Sequence, residues 1–220
     1  MSDTNDKTES TNHYGHISRK EIHPFIPMSA ERVLDVGCNT GAFGEGLKAQ
    51  RGIEVWGVEP NGVAATQAAK TLDYVVHDIF SETAAIPNTF FDVVVFNDVL
   101  EHLVDPWDAL RLAQRKLRPG GCVVASLPNM LNRENLIHML IERDFKYEDI
   151  GIRDRTHLRF FTQKSMRRLF EESGYCVHKI AGINERWWSE SLVNRLAYRV
   201  FSKQLEETKY VQYAVMATPC

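Results

Sequence analysis

Cysteine is scarce in this chain: Cys38, Cys122, Cys176 and Cys220 are all that its 220 residues hold, and none stands in a C-x-x-C pair. Such spacing offers neither a zinc knuckle nor a redox dithiol, and it suggests reduced thiols in a cytoplasmic protein. No apolar run approaches the ~18 residues that cross a bilayer, so no membrane span is expected. Positive charge is not in excess either. The 26 Lys and Arg face 29 Asp and Glu, a formal net charge of −3, which leaves no electrostatic footprint for nucleic acid. Residues 1 to 12 have almost nothing apolar to bury and no signal-peptide core, so they are expected to form a disordered tail. Two nucleotide signatures are missing as well. Without G-x-G-x-x-G no dinucleotide pyrophosphate is expected, and without G-K-[ST] there is no P-loop for a triphosphate.

What is present is an ordinary globular composition, 44% apolar and 25% charged, enough for one domain over residues 13 to 220. Short apolar runs alternate with helical stretches, the pattern of an α/β fold with helices on both faces of a mostly parallel sheet. Strands are read near 32 to 36, 54 to 58, 74 to 77, 91 to 96, 121 to 126, 176 to 183 and 211 to 218. One helix opens at Asp105-Pro106, a capping acid with proline at the first helical position, and is expected to end at Pro119-Gly120-Gly121. Another opens at Thr162 and stops at Gly174. Residues 127 to 161 are too long for an ordinary connection and follow the carboxyl end of a strand, so they read as a substrate cap with a helical pattern from Glu134 to Glu142. Residues 184 to 207, with Trp187, Trp188, Leu192, Leu196, Tyr198 and Phe201 at roughly helical spacing, read as a helix packing on the sheet, with a second substrate cap as the alternative.

The densest signal is Val33-Leu34-Asp35-Val36-Gly37-Cys38-Asn39-Thr40-Gly41, an apolar strand that enters a glycine-punctuated turn before a helix over Phe43 to Gln50. Glycines there admit positive φ and let backbone approach a ligand, while the new helix presents unpaired N–H groups. Glu59 ends a second apolar run, Val55-Trp56-Gly57-Val58, where an acidic side chain can accept from a ribose diol. Both sites point to one adenosine.

These residues, together with His77-Asp78-Ile79, the run from Phe91-Asp92 through Asn97-Asp98-Val99-Leu100-Glu101-His102, and Leu117-Arg118-Pro119-Gly120-Gly121, resemble the class I S-adenosylmethionine-dependent methyltransferases over roughly residues 30 to 183. The resemblance implies a Rossmann-like seven-stranded sheet whose last strand runs antiparallel. It implies S-adenosylmethionine as cofactor and S-adenosylhomocysteine as product. Asp35, Gly37, Cys38, Asn39, Gly41, Glu59, Pro60, Asp78, Ile79, Asn97, Asp98 and Val99 then become the cofactor-binding set, with Asp78 on the adenine amino group and Ile79 against its ring. Asn39 departs from the family's glycine, and asparagine is the residue that best tolerates left-handed backbone after glycine. Tyr14 and Arg19 precede the first strand and are placed to meet the cofactor's carboxylate.

A hydroxyl acceptor must lose a proton, which calls for a base near neutrality, and His102 and His157 fill that role. Asp98, Glu101 and His102 stand at i, i+3 and i+4 and would share a helical face, similar to the acid-x-x-Glu-His element of metal-assisted O-methyltransferases of ubiquinone biosynthesis and small-RNA 2'-O-methylation. A basic group around Arg153, Arg155, Arg159, Lys164, Arg167 and Arg168 reads as a solvated face, with a phosphate-bearing acceptor as the alternative. The segment from Pro128-Asn129 to Thr162 is similar to that of bacterial enzymes of surface-polysaccharide and secondary-metabolite pathways. The expected reaction is O-methylation of a small-molecule or sugar/glycan hydroxyl by in-line transfer. The alternatives are a metal-assisted quinone or catechol O-methyltransferase and a non-catalytic S-adenosylmethionine-binding module.

Overall fold

The computed structural model describes residues 18–185 and 205–220. The expected tail, Tyr14, and the aromatic and leucine positions from Trp187 to Phe201 lie outside the described residues. Seven strands form one sheet: β1 (Arg32–Val36), β2 (Glu54–Val58), β3 (Tyr74–Val76), β4 (Phe91–Asn97), β5 (Leu117–Pro128), β6 (Tyr175–Glu185) and β7 (Tyr210–Pro219). Their order is β3-β2-β1-β4-β5-β7-β6. The first five pair in parallel, and β7 lies antiparallel between β5 and β6.

The central strands read as unbroken apolar runs because both faces of the sheet are covered. Alternate side chains feed opposite cores. Leu34, Val94, Val123 and Val215 meet Leu110, Leu169 and Phe170 on one side. Val33, Val93, Val124 and Ala214 meet Ile22, Phe43 and Leu47 on the other. Truncating a fully buried leucine such as Leu110 to alanine costs about 2–5 kcal/mol.

The helices are α1 (Ala42–Arg51), α2 (Gly62–Ala68), α3 (Pro106–Lys116), α4 (Arg133–Ile137) and α5 (Gln163–Glu172). Asn61 caps α2 through two backbone N–H groups, and Asp105 caps α3 by accepting from Asp108 N at 2.8 Å. Thr162 and Ser165 form a reciprocal capping box at α5. Beyond it Gly174 takes φ +83° and turns the chain into β6. No helix among the described residues is long and apolar enough to cross a membrane.

Three expectations need correction. Helix α3 stops at Lys116, short of Pro119, because Leu117 is already extended and pairs with Phe91 at the start of β5. The pattern from Glu134 to Glu142 divides into α4 and a π-helical turn, His138–Glu142. Cys176 and Cys220 are not separate thiols. Antiparallel pairing of β6 with β7 brings their Cα atoms to 5.2 Å and the two form a disulfide, while Cys38 and Cys122 are free and buried.

The chain leaves β1 towards β2 and returns to β4 on its other side. That reversal opens a crevice at the carboxyl ends of β1, β2 and β4, the place where open α/β sheets bind ligands. The 127–161 segment, read as a cap, begins as the end of β5, then leaves the sheet and comes back to it, since Asn129 pairs with Phe161.

Candidate active site

A cavity of about 600 Å³ fills the crevice. Its floor is the glycine turn. Gly37 sits at φ +69°, and a β-carbon there would stand 2.8 Å from Val99 Cγ2, so only glycine fits. Asn39 holds φ +48°, the left-handed conformation that its side chain tolerates, and Gly41 at φ +83° opens α1. The Gly37 and Cys38 N–H groups donate to Val58 O at 2.8 and 3.3 Å, which ties the turn to β2.

Glu59, 8% exposed, accepts from Asn39 N and Asn61 N, each at 2.9 Å and on different carboxylate oxygens. Each oxygen keeps a further lone pair for a ligand hydroxyl. Asp35 is buried beside it. Burial first, and the Glu59 charge second, push its carboxyl up to about 8. Burial, then Asp35 and Glu59, raise the pKa of the Cys38 thiol, which keeps it a neutral wall rather than a nucleophile.

Of the expected cofactor set, Asp35, Gly37, Cys38, Asn39, Glu59, Pro60, Ile79, Asn97, Asp98 and Val99 line the cavity. Asp78 does not. Asp78 is exposed and accepts from Ile79 N at 2.8 Å. The wall residues Phe43, Phe80 and Leu103 carry no motif signal and emerge only from the fold. Both amide atoms of Asn97 are buried with no hydrogen-bond partner among the described residues, the condition of a polar group awaiting a ligand.

Asp98 stands at φ +54°. Its carboxylate pairs with Arg19 and accepts from Ser126 Oγ at 3.1 Å and Gln212 Nε2 at 2.6 Å. Burial pushes its pKa up against the opposing pull of Arg19, then Gln212 and Ser126. Sequence spacing had placed Asp98 with Glu101 and His102 on one helical face. The positive φ and a single 3-10 turn, Leu100–His102, break that spacing and send Asp98 elsewhere.

Glu101, His102 and His157 do converge, one ligand atom from each lying within 4.8 Å of the others. His102 lines the cavity. Its Nδ1 is 3.3 Å from Thr156 O and 3.1 Å from Thr156 Oγ1, whose own proton goes to Asp154 Oδ1 at 2.6 Å. Both Thr156 oxygens therefore accept, which places the proton on Nδ1 and leaves Nε2 with a lone pair. His157 repeats the pattern with Ile152 O at 3.2 Å. Its Nε2 stands 4.0 Å from Glu101 Oε1. Burial, then His102, holds His157 below the usual histidine range. Glu101 is fully buried and raised well above the carboxylate range by burial and then by Asp98. Histidine and acid thus meet as neutral groups. Neither Glu101 carboxylate oxygen has a hydrogen-bond partner among the described residues.

Three members of the basic group have local partners. Arg153 is buried against Glu148 and Lys146 O, Arg155 pairs with Asp149, and Arg159 donates to Val104 O at 2.5 Å.

Fold, glycine turn and acid-ended second strand define a class, the S-adenosylmethionine-dependent methyltransferases. Residues 13–180 match the family described as Methyltransferase domain, and the chain belongs to it. It is 30% identical over 164 residues to the ubiquinone biosynthesis O-methyltransferase of Aeromonas salmonicida, which covers 71% of this chain and 68% of that relative. Among solved structures, it resembles a SAM-dependent methyltransferase from Archaeoglobus fulgidus at TM-score 0.60 and 24% identity, over 88% of each chain. It also resembles a possible histamine N-methyltransferase from Thermotoga maritima at TM-score 0.66 and 18% identity, over 93% of this chain and 89% of that one. The protein is a methyltransferase and S-adenosylmethionine is its cofactor.

Proposed function

We propose that the enzyme methylates a hydroxyl of a small-molecule or glycan-like acceptor, with His102 as the base at the transfer end of the cavity. The observation that carries this reading is the position of His102, on the cavity wall and in ring contact with His157. Bound S-adenosylmethionine supplies a sulfonium-activated methyl group. Glu59 would hold the ribose, the turn from Gly37 to Gly41 would admit the methionyl end, and Ile79 and Phe80 would take the adenine. The acceptor hydroxyl would be set in line with the activated methyl group, and His102 Nε2 would take its proton as the oxygen is methylated. His157 keeps His102 oriented. Proximity supplies much of the acceleration, and the base a further ~10²–10⁴-fold.

One observation favours a second reading, the buried Glu101 side chain, which has no hydrogen-bond partner among the described residues and lies near two histidine nitrogens. Glu101, His102 and His157 suit a divalent cation, with the Ile152 and Thr156 carbonyls orienting the imidazoles from behind. Such an ion would orient an acceptor diol and lower its hydroxyl pKa. The ubiquinone-biosynthesis name of the relative supports a quinone or catechol precursor for this version.

The test is transfer of labelled methyl to glycan and catechol acceptors, with and without a chelator. Transfer that survives chelation supports the histidine base. Loss on chelation, restored by a divalent ion, supports the metal. Cofactor binding with no transfer to any hydroxyl acceptor argues against both.

A further inference from the structure

Arg19 is the sole arginine or lysine on the cavity wall among the described residues, a wall that also carries Asp35, Glu59 and Asp98. It belongs to a closed polar ring drawn from four parts of the chain. Arg19 pairs with Asp98, and Gln212 Nε2 donates to the same carboxylate at 2.6 Å. Gln212 Oε1 accepts from Asn184 Nδ2 at 2.7 Å. Asn184 Nδ2 reaches Glu21 Oε1 at 3.4 Å, and Arg19 Nε stands 3.0 Å from that same oxygen. Ser126 braces the ring from inside, accepting from Arg19 Nη2 at 2.9 Å.

The donor polarity around the ring is fixed. A carboxylate only accepts, so the Gln212 amide must turn its nitrogen to Asp98 and its oxygen to Asn184. Asn184 meets both Glu21 and Gln212 from φ +56°, a backbone that asparagine and glycine adopt most readily. Hydrogen bonds to Asp98 and Ser126 use two of the five guanidinium N–H groups of Arg19, while Nε, in ion-pair contact with Glu21, has no hydrogen-bond partner among the described residues.

The cofactor carries one anionic group, its methionyl carboxylate, and the wall offers one matching cation. Arg19 is already expected to meet that carboxylate; we propose that Gln212 and Asn184, neither of which lines the cavity, are positioning residues that hold Arg19 in place through Asp98 and so govern cofactor affinity. The inference rests on S-adenosylmethionine as the cofactor. It gives the far strands β6 and β7 a part in a site otherwise built on β1, β2 and β4.

Calorimetric binding of S-adenosylhomocysteine and of 5'-methylthioadenosine, which lacks the amino-acid portion, tests it. Gln212→Glu sets a second carboxylate against Asp98, and Asn184→Gly removes the amide while keeping the left-handed backbone. Each variant is expected to weaken S-adenosylhomocysteine about tenfold and leave methylthioadenosine unchanged. In an Arg19→Ala background, Gln212→Glu should add little. Equal weakening of both ligands, no change in either, or a full additional loss in the Arg19→Ala background would each overturn the proposal. A wild-type chain that binds neither ligand would overturn the cofactor assignment as well, whereas normal wild-type binding with unaltered variants overturns the ring alone.

Discussion

His102 and His157 meet edge to face, with ring centroids 4.7 Å apart and planes at 70°, and each turns its Nδ1 to a backbone carbonyl between residues 151 and 157. The two carbonyls fix both tautomers, so the pair offers bare Nε2 atoms and differs mainly in access. His102 lies on the cavity wall, while His157 is 7% exposed.

From that difference, His102→Ala should lower turnover by ~10²–10⁴-fold and His157→Ala by less. S-adenosylhomocysteine affinity should stay within about twofold in both variants. Because burial and the neighbouring ring hold His157 below the usual 6.5, it is neutral at pH 7, and its neutral form persists below pH 6.5. Folding stability gained from it is lost as pH falls through that range, where the unfolded chain takes up the proton more readily. Unchanged turnover in His102→Ala would remove the base role.

Glu59→Ala should weaken the cofactor roughly 30- to 100-fold, through lost ribose bonds and a loosened Asn39 turn. Isothermal calorimetry reads this directly. An unaltered dissociation constant would remove Glu59 from the site.

Asp35 gives a linkage prediction of opposite sign to a surface carboxylate. Its folded value, near 8 against an ordinary 3.8, means that the cofactor-free folded protein holds a proton which the unfolded chain releases. Stability therefore falls as pH rises from about 4 to 8. Asp35→Asn should flatten that slope and raise the melting temperature at pH 8 by several degrees. A slope that survives the substitution belongs to another group.

The Cys176–Cys220 disulfide joins the edge strand β6 to the residue after β7, with a sequence separation of 44. Its reduction should destabilise the protein by about 2–4 kcal/mol, because it frees a loop of the unfolded chain. Alkylation in denaturant without reductant should label Cys38 and Cys122 alone. Labelling of all four cysteines would show the pair to be open.

Much of the fold was legible because parallel strands buried on both faces appear as short apolar runs, and because Asp105-Pro106 and Thr162 are local capping signals. The glycine turn and Glu59 were legible for a similar reason, since each acts through its own backbone or immediate neighbours. What escaped depends on pairing between distant segments. The spacing of Asp98, Glu101 and His102 suggested one face, yet a positive φ at Asp98 sends its side chain to Arg19 and Gln212. Nothing near Gln212 or Ser126 marks either as part of the site. Cys176 and Cys220 meet only through the β6–β7 register, and α3 ends early because Leu117 finds a strand partner before the helix-breaking residues arrive.

The Asn129–Phe161 pairing, with Met130 N donating to Phe161 O at 2.8 Å, brings the two ends of one excursion together at the sheet. To the sheet, everything between is a detour with a closed doorway. Lengthening such a detour adds only a slowly growing closure entropy and leaves the registers of β5 and α5 alone. The excursion also carries His157 and the carbonyls that orient both histidines. A graft exchanged at this doorway would therefore bring its own imidazole and the carbonyls that orient both rings in a single piece.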